Sequence, residues 1–331
     1  MKTLPKTLTL TGLVRVSLGA IVATSLFSSL LIPALARDVV RTADISVRGF
    51  KVTDFPRMIK LADNVYAYEV VQPGHLKMGG FATNAFIVIT SDGVLVADGF
   101  GSEELVKGMI VAIAKITPQP IKYVVAASDH SDHRRGDTAY PAEAKFFASA
   151  ASKAVLDDEA NARNQPGVFR TITYNALTSD TMVLNLGNTE IRILNLGRAH
   201  TGGDLEVYLP RENILYMSEA FLNRMFPSMH SAYPTEWIGV LKKAEALHAQ
   251  NYIPGHGFVE SPEVLREELV NFRKCVEYIV AEGKRLHDAK VPGEDASYRS
   301  DLGMYAYWTR AAQNAHEAFR RIYMEADGQL K

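Results

Sequence analysis

Two imidazoles and two carboxylates crowd into the six residues Ser128-Asp129-His130-Ser131-Asp132-His133, directly behind the apolar run Ile121–Ala127. A short β-branched run of that kind reads as a strand buried on both faces of a sheet. The two imidazoles and the Asp132 carboxylate fall within four residues and cannot all enter a core, because an unpaired polar group is expensive to bury. They must gather just past the strand end, where sheet-based enzymes place their chemistry. The chain therefore needs a layered fold with an open rim.

The remainder of the sequence supplies the layers. Residues 58–71 and 82–98 are rich in β-branched and aromatic residues and read as hairpins, punctuated by Asn64 and by Ser91-Asp92-Gly93. Ser102 caps a predicted helix to about Ile116, 145–148 reads as a strand, and 152–163 as a helix. A hairpin over 181–195 turning at Gly187-Asn188, strands at 205–209 and 213–217, a helix from Thr235 to about Ala249 and a strand at 251–254 follow. Residues 262–290 and 301–324 are helical by periodicity, and Leu265, Leu269, Phe272, Val276 and Ile279 form one apolar stripe. That stripe suits either a cover for the sheets or a homo-oligomer interface. Strands followed by helices, twice over, predict an α/β fold: two sheets face to face with helices outside.

Lys2, Lys6 and Arg15 precede the uncharged stretch Val16–Ala36, which ends Ala34-Leu35-Ala36. A basic start, an apolar centre and a small-x-small end read as a secretory signal cleaved after Ala36, with a retained anchor as the alternative. Export, most simply to a periplasm, with no stable membrane association after cleavage, is the expectation. The domain reading is 1–36 signal peptide, 37–261 catalytic-type domain, and 262–331 C-terminal helices packed on or extending it. The formal charge of −1 lacks the basic excess of an electrostatic nucleic-acid binder, so a small-molecule substrate is the expected partner. The only cysteine, Cys275, sits in a helical pattern as a small apolar residue.

Two further histidines stand in turn-like contexts: His200 in Gly197-Arg198-Ala199-His200-Thr201-Gly202-Gly203-Asp204, and His256 in Pro254-Gly255-His256-Gly257. Imidazoles plus a carboxylate make a donor set suited to zinc. With these residues in order, the sequence resembles the metallo-β-lactamase-fold hydrolase superfamily, whose signature is His-x-His-x-Asp-His followed by three later ligands. His130, Asp132 and His133 match the signature, and His200 and His256 match later ligands. The resemblance spans about Met58 to Gly257 and implies an αββα sandwich with an additional C-terminal helical segment.

Two positions depart from that pattern. The first signature His is Ser128 here, and the bridging Asp is Glu219. Carried over residue by residue, the resemblance implies one firmly bound zinc at Asp132, His133 and His256, and leaves Glu219 open as a fourth ligand. A weaker second zinc would be left with His130 and His200, because a neutral serine ligates zinc poorly. Three protein ligands and a vacant position leave room for a water whose pKa a bound zinc lowers from about 15.7 to about 7. Ser128, His130, Asp132 and His200 are the candidate catalytic residues.

The Ser-x-His-x-Asp-His variant is similar to the superfamily's chlorothalonil-hydrolysing dehalogenases, which implies hydrolytic dehalogenation of an electron-poor aromatic. Hydrolysis of a lactam, ester or thioester is the alternative, and a non-catalytic metal-binding accessory protein of a quinoprotein system is a third reading. Phe221, Met225, Phe226, His230, Tyr233 and Trp237 follow Glu219 and are the candidate substrate walls, with packing of a helix onto the sheets, or a surface place for His230, as the alternative. Asp98 is expected to orient a ligand His and Asp204 to orient the His200 turn. His75, in a glycine-rich loop, either folds over the site or faces solvent, and Asp129 is expected at the surface.

Overall fold

The computed structural model describes residues 40–77, 79–162 and 172–330. The signal-like stretch 1–36 lies outside these residues. One sheet contains, in spatial order, β1 (Arg57–Ala62), β2 (Val65–Val71), β3 (Ala82–Thr90), β4 (Gly93–Ala97), β5 (Ile121–Val125), β6 (Lys145–Ala148) and β7 (Tyr174–Ala176). Its first four strands pair antiparallel and β4 to β7 pair in parallel. The second sheet has the order β12 (Asn251–Ile253), β11 (Ile214–Tyr216), β10 (Glu206–Leu209), β9 (Thr189–Leu194) and β8 (Thr181–Leu186), parallel only between β11 and β12. The helices are α1 (Pro73–Leu76), α2 (Glu103–Ala114), α3 (Ser131–Arg134), α4 (Ala150–Ala162), α5 (Pro234–Ala246), α6 (Pro262–Asp288), α7 (Ala296–Arg299) and α8 (Ala311–Ala326).

Side-chain alternation explains why the sheets stack. In β3 and β4, Phe86, Val88, Leu95 and Ala97 join the core shared with the second sheet. Their neighbours Ala85, Ile87, Val94 and Val96 face the other way, onto Val106, Met109 and Ile113 of α2. A strand buried on both faces needs this near-continuous apolar run. Ser102 accepts from the Leu105 N–H and starts α2 as its sequence signal predicts.

Leu265, Leu269, Phe272, Val276 and Ile279 of α6 and Phe319 and Ile322 of α8 are fully buried in the same core as β9, β10 and β11. The α6 stripe thus covers the second sheet. The expected helix over 301–324 is two elements: a short 3-10 turn at Gly303–Tyr307, then α8 from Ala311. Among the described residues, no helix is long and apolar enough to cross a membrane.

Candidate metal centre

The ends of four strands and one loop meet at a single rim. Asp98 follows β4; Ser128, His130, Asp132 and His133 follow β5; His200 and Asp204 lie between β9 and β10; Glu219 follows β11; His256 follows β12. The two sheets are stitched there by Leu205 N–H to the Ala127 carbonyl (2.9 Å) and Asn84 N–H to the Gly255 carbonyl (2.8 Å). Because β11 and β12 run parallel, Glu219 and His256 emerge side by side, and the Gly255 N–H donates to the Ser218 carbonyl (2.7 Å). A Cβ on Gly255 would sit 2.4 Å from the Ser218 carbonyl carbon, so only glycine permits this approach.

Asp132, His133, Glu219 and His256 bring donor atoms together, all within 4.8 Å of one another. His133 Nε2 and His256 Nε2 are 3.1 Å apart. His256 Nε2 lies 3.3 Å from both Asp132 Oδ2 and Glu219 Oε1, and His133 Nε2 lies 3.9 Å from Glu219 Oε1. A tetrahedral zinc with bonds of about 2.0–2.1 Å separates its ligand atoms by about 3.3 Å. The four residues fit the ion on that geometric test.

The tautomers fit it as well. His133 Nδ1 faces Asp98 Oδ2 at 3.0 Å and donates to it, which leaves a lone pair on Nε2. Asp98 is held in turn by Tyr216 and Ser218 hydroxyls (2.6 and 2.5 Å) and by the Ala127 N–H (2.8 Å). His256 Nδ1 donates to the Ala82 carbonyl at 3.3 Å, leaving its Nε2 lone pair aimed at His133. Two facing lone pairs beside two carboxylates make a point that attracts a cation. Without one, protons gather there. Burial opposes charging His256, yet hydrogen bonds to Asp132 and Glu219 outweigh it and push its pKa up to about 10.

A second group, His130, His200 and Glu219, adjoins the first. His130 Nδ1 is 3.0 Å from Glu219 Oε2, His200 Nε2 is 3.0 Å from Glu219 Oε1, and the two imidazoles are 3.1 Å apart. Glu219 straddles both groups. Ser128 donates to Glu219 Oε2 at 2.5 Å, so it grips the carboxylate where the signature would place an imidazole. Burial pulls His200 down to about 4 against the pull of Glu219, whereas for His130 the charge of Glu219 overcomes burial and raises it to about 9. His200 rests edge-on against Trp237 (centroids 5.3 Å), and Asp204 accepts from Thr201 N–H and hydroxyl (2.7 and 2.8 Å), which fixes the turn carrying it.

A cavity of about 520 Å³ opens over these groups. Of the candidate wall residues, Met225 and His230 line it. His230 stacks on His130 (centroids 4.6 Å). Phe221, Phe226 and Trp237 do not: all three are fully buried, because the chain after Glu219 runs beneath the C-terminal helices and packs against residues such as Phe272. Tyr233 lies under the Arg198 guanidinium (3.9 Å) and is not among the cavity's lining residues. The apolar wall comes instead from Phe81, Leu105, Leu222 and Met225, with Arg135 and Arg310 as its cations.

Asp129 departs from its expected place at the surface, whereas His75 takes the first of its two alternatives and folds over the site. Asp129 is buried, accepting from Ser152 Oγ at 3.1 Å. His75 is buried, stacked on Phe81 (4.1 Å, 19°), with Nε2 3.2 Å from Asp132 Oδ2. Burial lowers its pKa, against the hydrogen bond to Asp132. Its turn-forming neighbours Pro73 and Gly74 mark a loop but say nothing of which way the imidazole faces. Phe81 likewise follows two glycines and carries no sequence signal for the cavity.

No family model matches the chain. Two metallo-β-lactamases type 2 are similar in sequence. That of Bacillus sp. (strain 170) is 24% identical over 217 residues, covering 63% of this chain and 79% of the relative. That of Elizabethkingia meningoseptica is 23% identical over 188 residues, covering 52% and 71%. Among solved structures, a metallo-β-lactamase from Pontibacter korlensis superposes with a TM-score of 0.57 at 17% identity, covering 66% of this chain and 99% of that one. DIM-1 metallo-β-lactamase gives 0.54 at 18% identity, covering 67% and 97%. The chain thus has the metallo-β-lactamase fold, and the relatives it resembles in sequence are metallo-β-lactamases.

Proposed function

We propose that the chain is a zinc-dependent hydrolase of a small electrophile, holding one ion firmly at Asp132, His133, Glu219 and His256. The observation that carries this reading is the pair of Nε2 atoms facing each other at 3.1 Å between two carboxylates. A bound zinc would add a water to these four donors, acidify it and polarise the bond to be cleaved. The chain's own residues do the rest. Asp98 keeps the His133 proton on Nδ1, away from the ligand atom. Ser128 holds Glu219 in line between the two groups. His130, on the cavity wall with Nε2 free of hydrogen-bond partners among the described residues, is held charged by Glu219, so it can give its Nε2 proton to a leaving group and then take one back.

The finer reading is hydrolytic dehalogenation of an electron-poor aromatic. The Ser128-x-His130 variant supports it, together with a wall of Phe81, Leu105, Leu222 and Met225 that can hold a ring flat. Lactam opening is the second reading, favoured by the relatives that are named metallo-β-lactamases. Metal analysis of the purified chain, joined to assays of chloride release from an electron-poor chloroaromatic and of lactam opening, separates them. One retained zinc with chloride release is the expected result; zinc with turnover of neither substrate favours an accessory role. Export is part of the proposal and rests on residues 1–36; a mature protein in the periplasm beginning at Arg37 is the outcome expected by mass spectrometry.

A further inference from the structure

The turn that carries His75 grips Asp132 from two directions. The Gly101 N–H donates to Gln72 Oε1 (2.7 Å), which fixes the amide so that Gln72 Nε2 donates to the Asp132 backbone carbonyl (2.8 Å) and to Thr83 Oγ1 (2.9 Å). Having accepted there, the Thr83 hydroxyl has one proton to give, and His75 Nδ1 lies 3.2 Å away. The other neighbour, His256 Nδ1 at 3.4 Å, already donates to the Ala82 carbonyl and can share its proton with Thr83, so it needs none. His75 Nδ1 therefore accepts, the ring proton sits on Nε2, and Nε2–H donates to Asp132 Oδ2 at 3.2 Å. The opposite tautomer would set a lone pair against a carboxylate.

We propose that His75 is a positioning residue for the metal centre, which holds Asp132 Oδ2 through the relay Gln72–Thr83–His75 so that its remaining lone pair is turned toward the cation. This rests on the metal reading above. The geometry gives the clamp little freedom. The His75 N–H and carbonyl are tied to Gln72 O (2.9 Å) and Gly80 N (3.0 Å), and the ring is stacked on Phe81. Asp132 belongs to a four-residue helix on the cavity rim and is the most exposed of the four proposed ligands. Its carboxylate is the ligand most in need of an outside hold.

The test compares His75→Phe, which keeps a flat ring for the Phe81 stack but cannot donate, with His75→Gln, whose amide N–H can. Zinc affinity is read by chelator competition, coordination by the absorption spectrum of the cobalt(II) form, and folding by thermal melting of metal-free protein. The expected result for His75→Phe is zinc bound about 10–100-fold more weakly, the usual effect of losing a partner that orients a ligand. His75→Gln should recover most of that loss, with cobalt bands like those of the unaltered chain and similar melting for both variants. Unchanged zinc affinity in His75→Phe overturns the proposal. So does a cobalt spectrum showing one fewer nitrogen ligand in both variants, because His75 would then bind the ion itself. A chain that takes up no metal overturns the metal reading, and this proposal with it.

Discussion

Replacing Asp98 by Asn is the sharpest probe of how the rim sets a tautomer. Asp98 has φ 63°, a left-handed conformation that Asn tolerates, so the backbone can stay in place. Its Oδ1 accepts from the Ala127 N–H, and its Oδ2 accepts from Tyr216, Ser218 and His133. An amide that keeps its oxygen for Ala127 turns an NH2 group toward the other three. Tyr216 can give its proton to the Asn84 carbonyl, 2.9 Å away, and the Ser218 hydroxyl can rotate. His133 can do neither: to accept at Nδ1 it must carry its proton on Nε2, the atom aimed at the metal. Zinc affinity should fall about 10–100-fold, or about 1.4–2.8 kcal/mol. Chelator competition at neutral pH measures it, with melting of the metal-free variant as the control for folding. A variant that binds zinc as tightly as the unaltered chain would refute the tautomer argument.

Other outcomes follow from the same contacts. Gly255→Ala drives a methyl into the Ser218–Glu219 backbone and should lose at least about 1–3 kcal/mol of stability; urea unfolding reads it, and an unchanged midpoint counts against the close approach. In metal-free protein the raised pKa of His256 should add stability below about pH 6.5 that is lost as pH rises toward about 10, so the melting temperature should fall across that window while zinc-loaded protein falls less. Asp137, pushed up to about 8 chiefly by burial and held by the Tyr174 hydroxyl, binds its proton more tightly folded than unfolded. It should destabilise the fold increasingly as pH climbs from about 4 to about 8, and Asp137→Asn should flatten that slope in urea titrations.

The layers were legible because each strand announces itself locally: β3 and β4 flank a Ser-Asp-Gly turn, and β8 and β9 flank Gly187 at φ 58°. Ligand-type histidines were legible for a related reason, since polar clusters behind apolar strands have nowhere to go but the rim. What local pattern cannot carry is direction over long sequence distances. Aromatic richness after Glu219 looks the same whether the rings face a cavity or a helix, and α6 decides in favour of the core for Phe221 and Trp237. His75 and Phe81 reach the site only through the pairing of β2 with β3, which brings Val71 opposite Ala82. Similarly, Tyr305 and Trp308 keep helical spacing across Gly303–Tyr307, yet a 3-10 turn buries them, so periodicity starts the last helix too early.

The two departures from the superfamily signature make sense as one exchange. Where the pattern has His and Asp, this chain has Ser128 and Glu219, a shorter side chain facing a longer one. The extra methylene lets the Glu219 carboxylate reach toward the space that an imidazole would fill, and Ser128 caps it at 2.5 Å. Both residues are buried, so little water can take up any mismatch. Ser128→His alone should strengthen a second zinc beside His130 and His200, but it places the new ring against Glu219 Oε2, and part of the gain is offset by strain. Glu219→Asp alone withdraws the carboxylate and leaves the Ser128 hydroxyl without its acceptor. The double substitution should bind the second zinc more tightly than the two single effects add up to, with a coupling of about 0.5–3 kcal/mol as expected for residues in contact. Zinc stoichiometry and stepwise affinities of all four chains form the cycle. Strict additivity would mean that the Ser128–Glu219 contact is incidental to metal binding.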